Sequence, residues 1–426
     1  MQSEKKKLIL HPMNSKNVHL IYILLLLTAI FTDACRKEED IVPRLPGMQG
    51  DTLSRTLIVY MAAENSLTNY LRTDSIEISW GLDSIDDNSR VVLFMDDNKS
   101  SRLCVGTRRE RLQTVKTYEG DICSTDSQTM ANILQDIIRL YPARTYALAL
   151  CSHGSGWLFD NPEVQSQQAP RRSFGIDNGN RTTSNTGRKM HIPTLAGVLS
   201  DCPRFDYLFF DACLMQCIEV AYELRHAADY IIASPAEIPA DGAPYTQMLR
   251  LMCNVPVDVE ALVDSYEDYY TNGIGKSSYG GAELSAIRTD KLERLATVTA
   301  PLMNRLLANR TELETTNIQK YHPWPNTLSF TAFYDLKNLL HNHLDSVSYS
   351  SWVREFDEAV PVQRLAPTWF SAYPYPYGTR MTVLDIPHCG GVSVYVPLEQ
   401  HKSRGWNDAY HQLEWYQDTG LSATNW

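Results

Sequence analysis

The chain lacks most of the features that announce a protein class at a glance. It has no low-complexity tract and no internal repeat, which excludes solenoid and collagen-like architectures. Nine cysteines in 426 residues are too sparse for a disulfide scaffold. They form no CxxC pair, and no His/Cys cluster has the spacing of a zinc site. EF-hand spacing is also missing. Basic charge is scarce: the formal net charge is −11, and the dense basic run Arg108-Arg109-Glu110-Arg111 is short and isolated. That argues against nucleic acid as a partner and mildly favours cationic substrates.

What is present is globular. The chain is 43% hydrophobic and 21% charged, enough to bury a large core, and its length suits a single large α/β domain. Near the start, Lys5, Lys6, Lys7 and Lys16 precede an apolar run over residues 20–31, LIYILLLLTAIF. This run is too short for a comfortable transmembrane helix. With Thr32-Asp33-Ala34-Cys35 behind it, residues 1–35 read as a signal peptide, with Met13 as a candidate start. A cysteine directly after a small residue resembles a bacterial lipoprotein signal, in which Cys35 is lipidated. Asp33 is an unusual occupant of such a box, and ordinary cleavage or an uncleaved anchor are the alternatives. The expected location is the bacterial cell envelope, periplasm-facing or on the outer surface. Residues 36–54 read as a tether.

Apolar strand-like runs lie at residues 56–62, 91–95, 147–150, 207–210 and 230–233, with helical patterns between them. Fully apolar strands alternating with helices predict a mostly parallel sheet covered on both faces. This core is assigned to residues 55–245. Residues 246–426 read as a mainly helical C-terminal region that returns strands to the sheet or adds a small subdomain, from strand-like runs at 282–288 and 391–397.

Polar residues stand at the carboxyl ends of the core strands, the edge where open α/β sheets bind ligands. Residues 146–157, YALALCSHGSGW, stop on His153. Residues 207–215, YLFFDACLM, stop on Asp211, Ala212 and Cys213. A thiol needs a base or a lowered pKa to attack, and His153 on a neighbouring strand end can supply the base. Cys213 is expected where a strand turns into a helix, just ahead of a helix over 214–228, whose N-terminus would favour a thiolate. The backbone N–H groups of Gly154 and Cys213 are the candidate oxyanion donors. Each alone has a bland alternative, a core cysteine or a loop histidine; their shared sheet edge favours function.

The pair HGSGW and DACLMQCIEV resembles the clostripain family of cysteine peptidases, peptidase family C11, in the clan of caspases, gingipains and legumains. The segments TLIVYMAAENSL, YPARTYALAL, YIIASPAEIPADGAPY and GVSVYVP extend the resemblance over roughly residues 55–400. The resemblance implies a caspase-like αβα sandwich, a Cys213/His153 dyad and cleavage of peptides after Arg or Lys. Asp211 then suits the floor of the P1 pocket (S1), or else caps a following helix. Asp241 is a second pocket acid or a plain turn residue. The family also implies maturation in the loop after the histidine, where Arg171 and Arg172 are either the cleavage site or a solvated pair. The chemistry requires no metal; calcium, which some relatives need, would have Asp96, Asp97 and Asp177 as candidate ligands. Two rivals remain: a non-catalytic envelope lipoprotein that binds protein or glycan at this edge, and a thiol hydrolase of non-peptide substrates.

Overall fold

The computed structural model describes residues 52–158, 174–185, 187–273, 275, 279–308, 313–321, 332–372 and 378–424. Cys35, the signal and most of the tether, and the pair Arg171 and Arg172 lie outside the described residues. Among the described residues no helix is long and apolar enough to cross a membrane.

Nine strands form one sheet. In chain order they are β1 (Leu53–Ala62), β2 (Ser89–Asp96), β3 (Ser101–Thr107), β4 (Glu110–Tyr118), β5 (Ala143–Cys151), β6 (Phe205–Asp211), β7 (Ala228–Ala233), β8 (Glu283–Arg288) and β9 (Val362–Leu365). Across the sheet the order is β9-β8-β7-β6-β5-β1-β2-β3-β4. The strands from β7 to β2 run parallel, and antiparallel neighbours flank them on both sides. Strands β1, β2, β5 and β6 are buried along most of their length, which is why they read as continuous apolar runs.

Helices cover the sheet. The first is α1 (Thr68–Gly81), and α2 (Ser127–Leu140), α3 (Ile192–Ser200) and the short α4 (Ile218–Glu223) follow. Next come α5 (Tyr245–Cys253), α6 (Val259–Thr271), α7 (Leu292–Leu307), α8 (Leu336–His343) and α9 (Ser346–Ala359). The C-terminal region is largely helical and returns β8 and β9 to the sheet edge. The strand-like run at 391–397 does not join that sheet: Ser393–Tyr395 pairs with Phe333–Asp335 in a separate two-stranded sheet. The expected helix over 214–228 shrinks to the six residues of α4. Residues 213 and 214 are a turn instead, followed by irregular chain to Cys217, and Leu214 sits there at φ 64, a conformation that bulky residues rarely adopt.

Strand order reverses between β1 and β5, since the chain steps from β1 to β2 on one side and returns to β5 on the other. This switch point opens a crevice at the carboxyl edge. Register aligns what stands there, because Cys151 pairs with Asp211 across β5 and β6. His153 and Cys213 therefore each lie two residues beyond a matched pair on adjacent strands.

Candidate active site

The turn between β1 and α1 organises the histidine side. Asn65 is buried, and its side-chain amide donates to the carbonyls of Ala62 at 2.8 Å and Ile176 at 2.9 Å. Its carbonyl oxygen accepts from the Leu67 N–H at 2.9 Å. Ser152 ties the end of β5 to the end of β1 by donating to the Ala62 carbonyl at 2.7 Å. Ser66 then meets the His153 ring, with its hydroxyl 2.9 Å from Nε2. Burial lowers the His153 pKa to about 4, Lys189 pushes the same way, and a hydrogen bond with Asn185 opposes them. The imidazole is neutral at pH 7, the form a general base requires.

Cys213 lies half-buried at the end of its strand. Its sulfur is 3.4 Å from the Ile238 N–H, which donates to it. Burial pushes the thiol up to about 12, with the nearby Glu237 and Asp211 charges adding to the rise. The helix that was expected to favour a thiolate begins only at Ile218, so its N-terminus does not reach the sulfur. The thiol is therefore protonated at rest.

Gly154 joins the two halves. A Cβ there would lie 2.5 Å from the Cys213 carbonyl oxygen and 3.1 Å from the Ala212 Cβ. Only glycine lets the backbone after the histidine lie flat on the backbone of the cysteine turn. Two residues on, Gly156 adopts φ 62, and a Cβ there would meet the Phe333 ring at 2.6 Å. Trp157 is fully buried against Tyr395 and Tyr410 from the end of the chain, at ring-centroid distances of 4.9 and 5.7 Å.

His153 and Cys213 line one cavity of about 510 Å³. Asp211 lines it too, and is not a helix cap. Its Oδ2 accepts from the Ala243 N–H at 3.1 Å and from the Tyr245 hydroxyl at 3.0 Å. Its Oδ1 is buried without a hydrogen-bond partner. Burial pushes this carboxyl up to about 6 against those two hydrogen bonds. Asp241 is placed differently from the expected pocket acid. It is exposed, lies outside the cavity lining, and accepts from the Tyr279 hydroxyl at 3.0 Å, so only Tyr279 reaches the cavity. Glu237 lines the cavity and accepts a hydrogen bond from Ser371. Phe370 and Ala372 close it from the C-terminal region.

The candidate calcium ligands separate. Asp96 and Asp177 meet Glu64 in a buried cluster whose ligand atoms lie within 4.8 Å of one another. Asp97 instead pairs with Arg72 at 2.9 Å and Arg102 at 3.0 Å. Arg181 already places its guanidinium against the cluster, 2.9 Å from Asp96 and 3.7 Å from Glu64. A divalent cation there would meet a like charge, so the cluster does not fit calcium as it stands.

A sheet of this order, with a thiol and an imidazole at neighbouring strand ends, is the architecture of the caspase-like cysteine peptidases. The chain belongs to the clostripain family of cysteine endopeptidases, whose family model matches residues 59–426. It is similar to an inactive zymogen of a C11 protease from Parabacteroides distasonis, at 30% identity and a TM-score of 0.71, covering 87% of this chain and 99% of that one. It is also similar to a secreted C11 cysteine protease from Bacteroides thetaiotaomicron, whose structure holds an irreversible peptide inhibitor. There the identity is 29% and the TM-score 0.73, with 87% of this chain and 100% of that one covered. Clostripain of Hathewaya histolytica is 25% identical over 161 residues, which is 36% of this chain and 29% of that protein.

Sequence reasoning missed several side chains of this site, Tyr279 and Phe370 among them. Ser66 and Asn185 hold the histidine, and nothing in their local pattern marks them. Asp74 also lines the cavity, on the buried face of α1. Its signal was legible: an acid falls in the stripe Leu71, Asp74, Ile78 at helical spacing.

Proposed function

We propose that the chain is an exported, lipid-anchored endopeptidase of the bacterial envelope that cleaves peptides after Arg or Lys. The observation that carries this reading is the shared cavity: a thiol, a neutral imidazole and a buried acid with a free oxygen converge on it. No Lys or Arg is among its described lining residues. His153 takes the proton from the Cys213 thiol as sulfur attacks the scissile carbonyl carbon, because neither group is charged beforehand. The N–H groups of Gly154 and Cys213 hold the oxyanion. The imidazolium then protonates the leaving amine as the C–N bond breaks, and water hydrolyses the thioester. Asp211 pairs with the basic side chain of the substrate. Asp241 acts at the rim, through Tyr279. Lipidation at Cys35 would fix the protein to the membrane, and cleavage beside Arg171 or Arg172 would mature it. Catalysis needs no metal, and any calcium would compete with Arg181.

The test uses the full chain beside Cys213→Ala, with fluorogenic peptides ending in Arg, Lys, Asp or Leu. Release after Arg or Lys by the native protein alone is expected. Fragments meeting near Arg171 on a denaturing gel, absent from the Ala variant, are the expected sign of self-processing. No release from any peptide would favour the binding-protein reading instead.

A further inference from the structure

The cavity holds an acid that the peptidase reading does not use. Asp74 projects from α1, a helix whose buried residues are Thr68, Leu71, Asp74, Ile78 and Gly81. Four of these five positions are what a helix packed on a sheet requires; a carboxylate in the stripe is not. Asp74 is 1% exposed, and its Oδ2 is buried with no hydrogen-bond partner. Leaving such a group unsatisfied costs free energy, so its retention needs a reason. It lines the same cavity as Asp211, whose Oδ1 is also buried and unpartnered.

The surroundings say what would satisfy both oxygens. The other charged or titratable lining groups are Glu237, His153, Cys213 and Tyr279. Glu77 and Asp241 add further negative charge beside Asp74. No cation among the described lining residues answers these acids. Burial, then the Asp211, Glu77 and Asp241 charges, hold the Asp74 carboxyl well above the ordinary carboxylate range. Asp74 therefore holds a proton that a ligand cation would replace. Leu67, Leu71, Ile238 and Phe370 supply apolar wall for the stem of a long side chain.

We propose that Asp74 is a second specificity-determining residue, which together with Asp211 grips the cationic head of the substrate's P1 side chain. The proposal rests on the basic-P1 reading above. A guanidinium carries five N–H donors in a planar fork, and two carboxyl groups with one free oxygen each suit it better than a single acid does.

The test compares the full chain with Asp74→Asn and Asp211→Asn on paired peptides that carry arginine or citrulline at P1. Citrulline keeps the shape of arginine and removes its charge. The ratio of kcat/KM values is independent of the fraction of active enzyme, so partial misfolding of a variant does not blur it. In the native protein arginine is expected to be strongly preferred. Asp74→Asn is expected to lower that preference by about tenfold or more, through KM rather than kcat, as for loss of a charged hydrogen-bond partner. Asp74→Glu should recover part of it. An unchanged ratio in Asp74→Asn, with Asp211→Asn reduced, would overturn the role of Asp74 and leave the basic-P1 reading standing. No preference for arginine in the native protein would sink both.

Discussion

Single residues set the working pH. Asp211 must be ionised to pair with a basic side chain, and burial pushes its carboxyl up to about 6. His153 must be neutral to accept the thiol proton, and it is neutral above about 4. For a P1-Arg peptide, kcat/KM is therefore expected to rise through about pH 6 as Asp211 loses its proton, and to rise further at higher pH as Asp74 loses its own. A P1-citrulline peptide does not need that charge, so its profile should rise near pH 4 and lack the later limb. Initial-rate measurements from pH 4 to 8 on both peptides check this. Coincident profiles would mean that Asp211 is not the group being titrated.

At the scale of elements, the site depends on how two loop backbones touch. A Cβ at Gly154 would lie 2.5 Å from the Cys213 carbonyl oxygen, and backbone cannot swing aside as a side chain can. Gly154→Ala is expected to cost about 1–3 kcal/mol of stability, as overpacking does. It should also lower kcat/KM by about a hundredfold, because it shifts the cysteine relative to the histidine. Thermal melts and rates on a P1-Arg peptide measure the two effects separately. Wild-type activity in Gly154→Ala would show that this contact does not position the thiol.

The same scale explains what could be read from the sequence. The buried parallel strands were legible because burial on both faces leaves an unbroken apolar run. His153, Asp211 and Cys213 were legible because each ends such a run. The hairpin of β3 and β4 was not. Only one of the nine residues of β4 is buried, its sequence ERLQTVKTY is polar, and the basic run at 108–111 proves to be the hairpin's turn and first rung. Ser66 and Asn185 were invisible because their role comes from tertiary contact with a ring 87 and 32 positions away in the chain. The over-long helix at 214–228 was an error of period. Its apolar residues pack in a turn held by the Leu214 N–H to the Ala236 carbonyl at 2.9 Å.

For the whole molecule, the acid pocket carries a cost in stability. Asp74 is held protonated by the fold, whereas in an unfolded chain it ionises near about 4. A group whose folded pKa is raised contributes fully below its unfolded pKa, and that contribution is lost as pH rises through the folded value. Asp74→Asn should therefore leave Tm unchanged near pH 4 and raise it by about 2–4 °C at pH 8. Melting curves across that range decide it. A Tm gain independent of pH would show that the proton on Asp74 is not the cause.

The cavity also has a place in time. Its dyad and the acids Asp74 and Asp211 come from residues 74 to 213, but Phe370 and Ala372 close one wall, and Tyr395 and Tyr410 pin Trp157 beside the histidine. A ribosome that has made the cysteine and the histidine has not yet made the pocket. From residue 213 until the residues of that wall are made, the growing chain holds the chemistry of a peptidase without a finished place to seat a substrate.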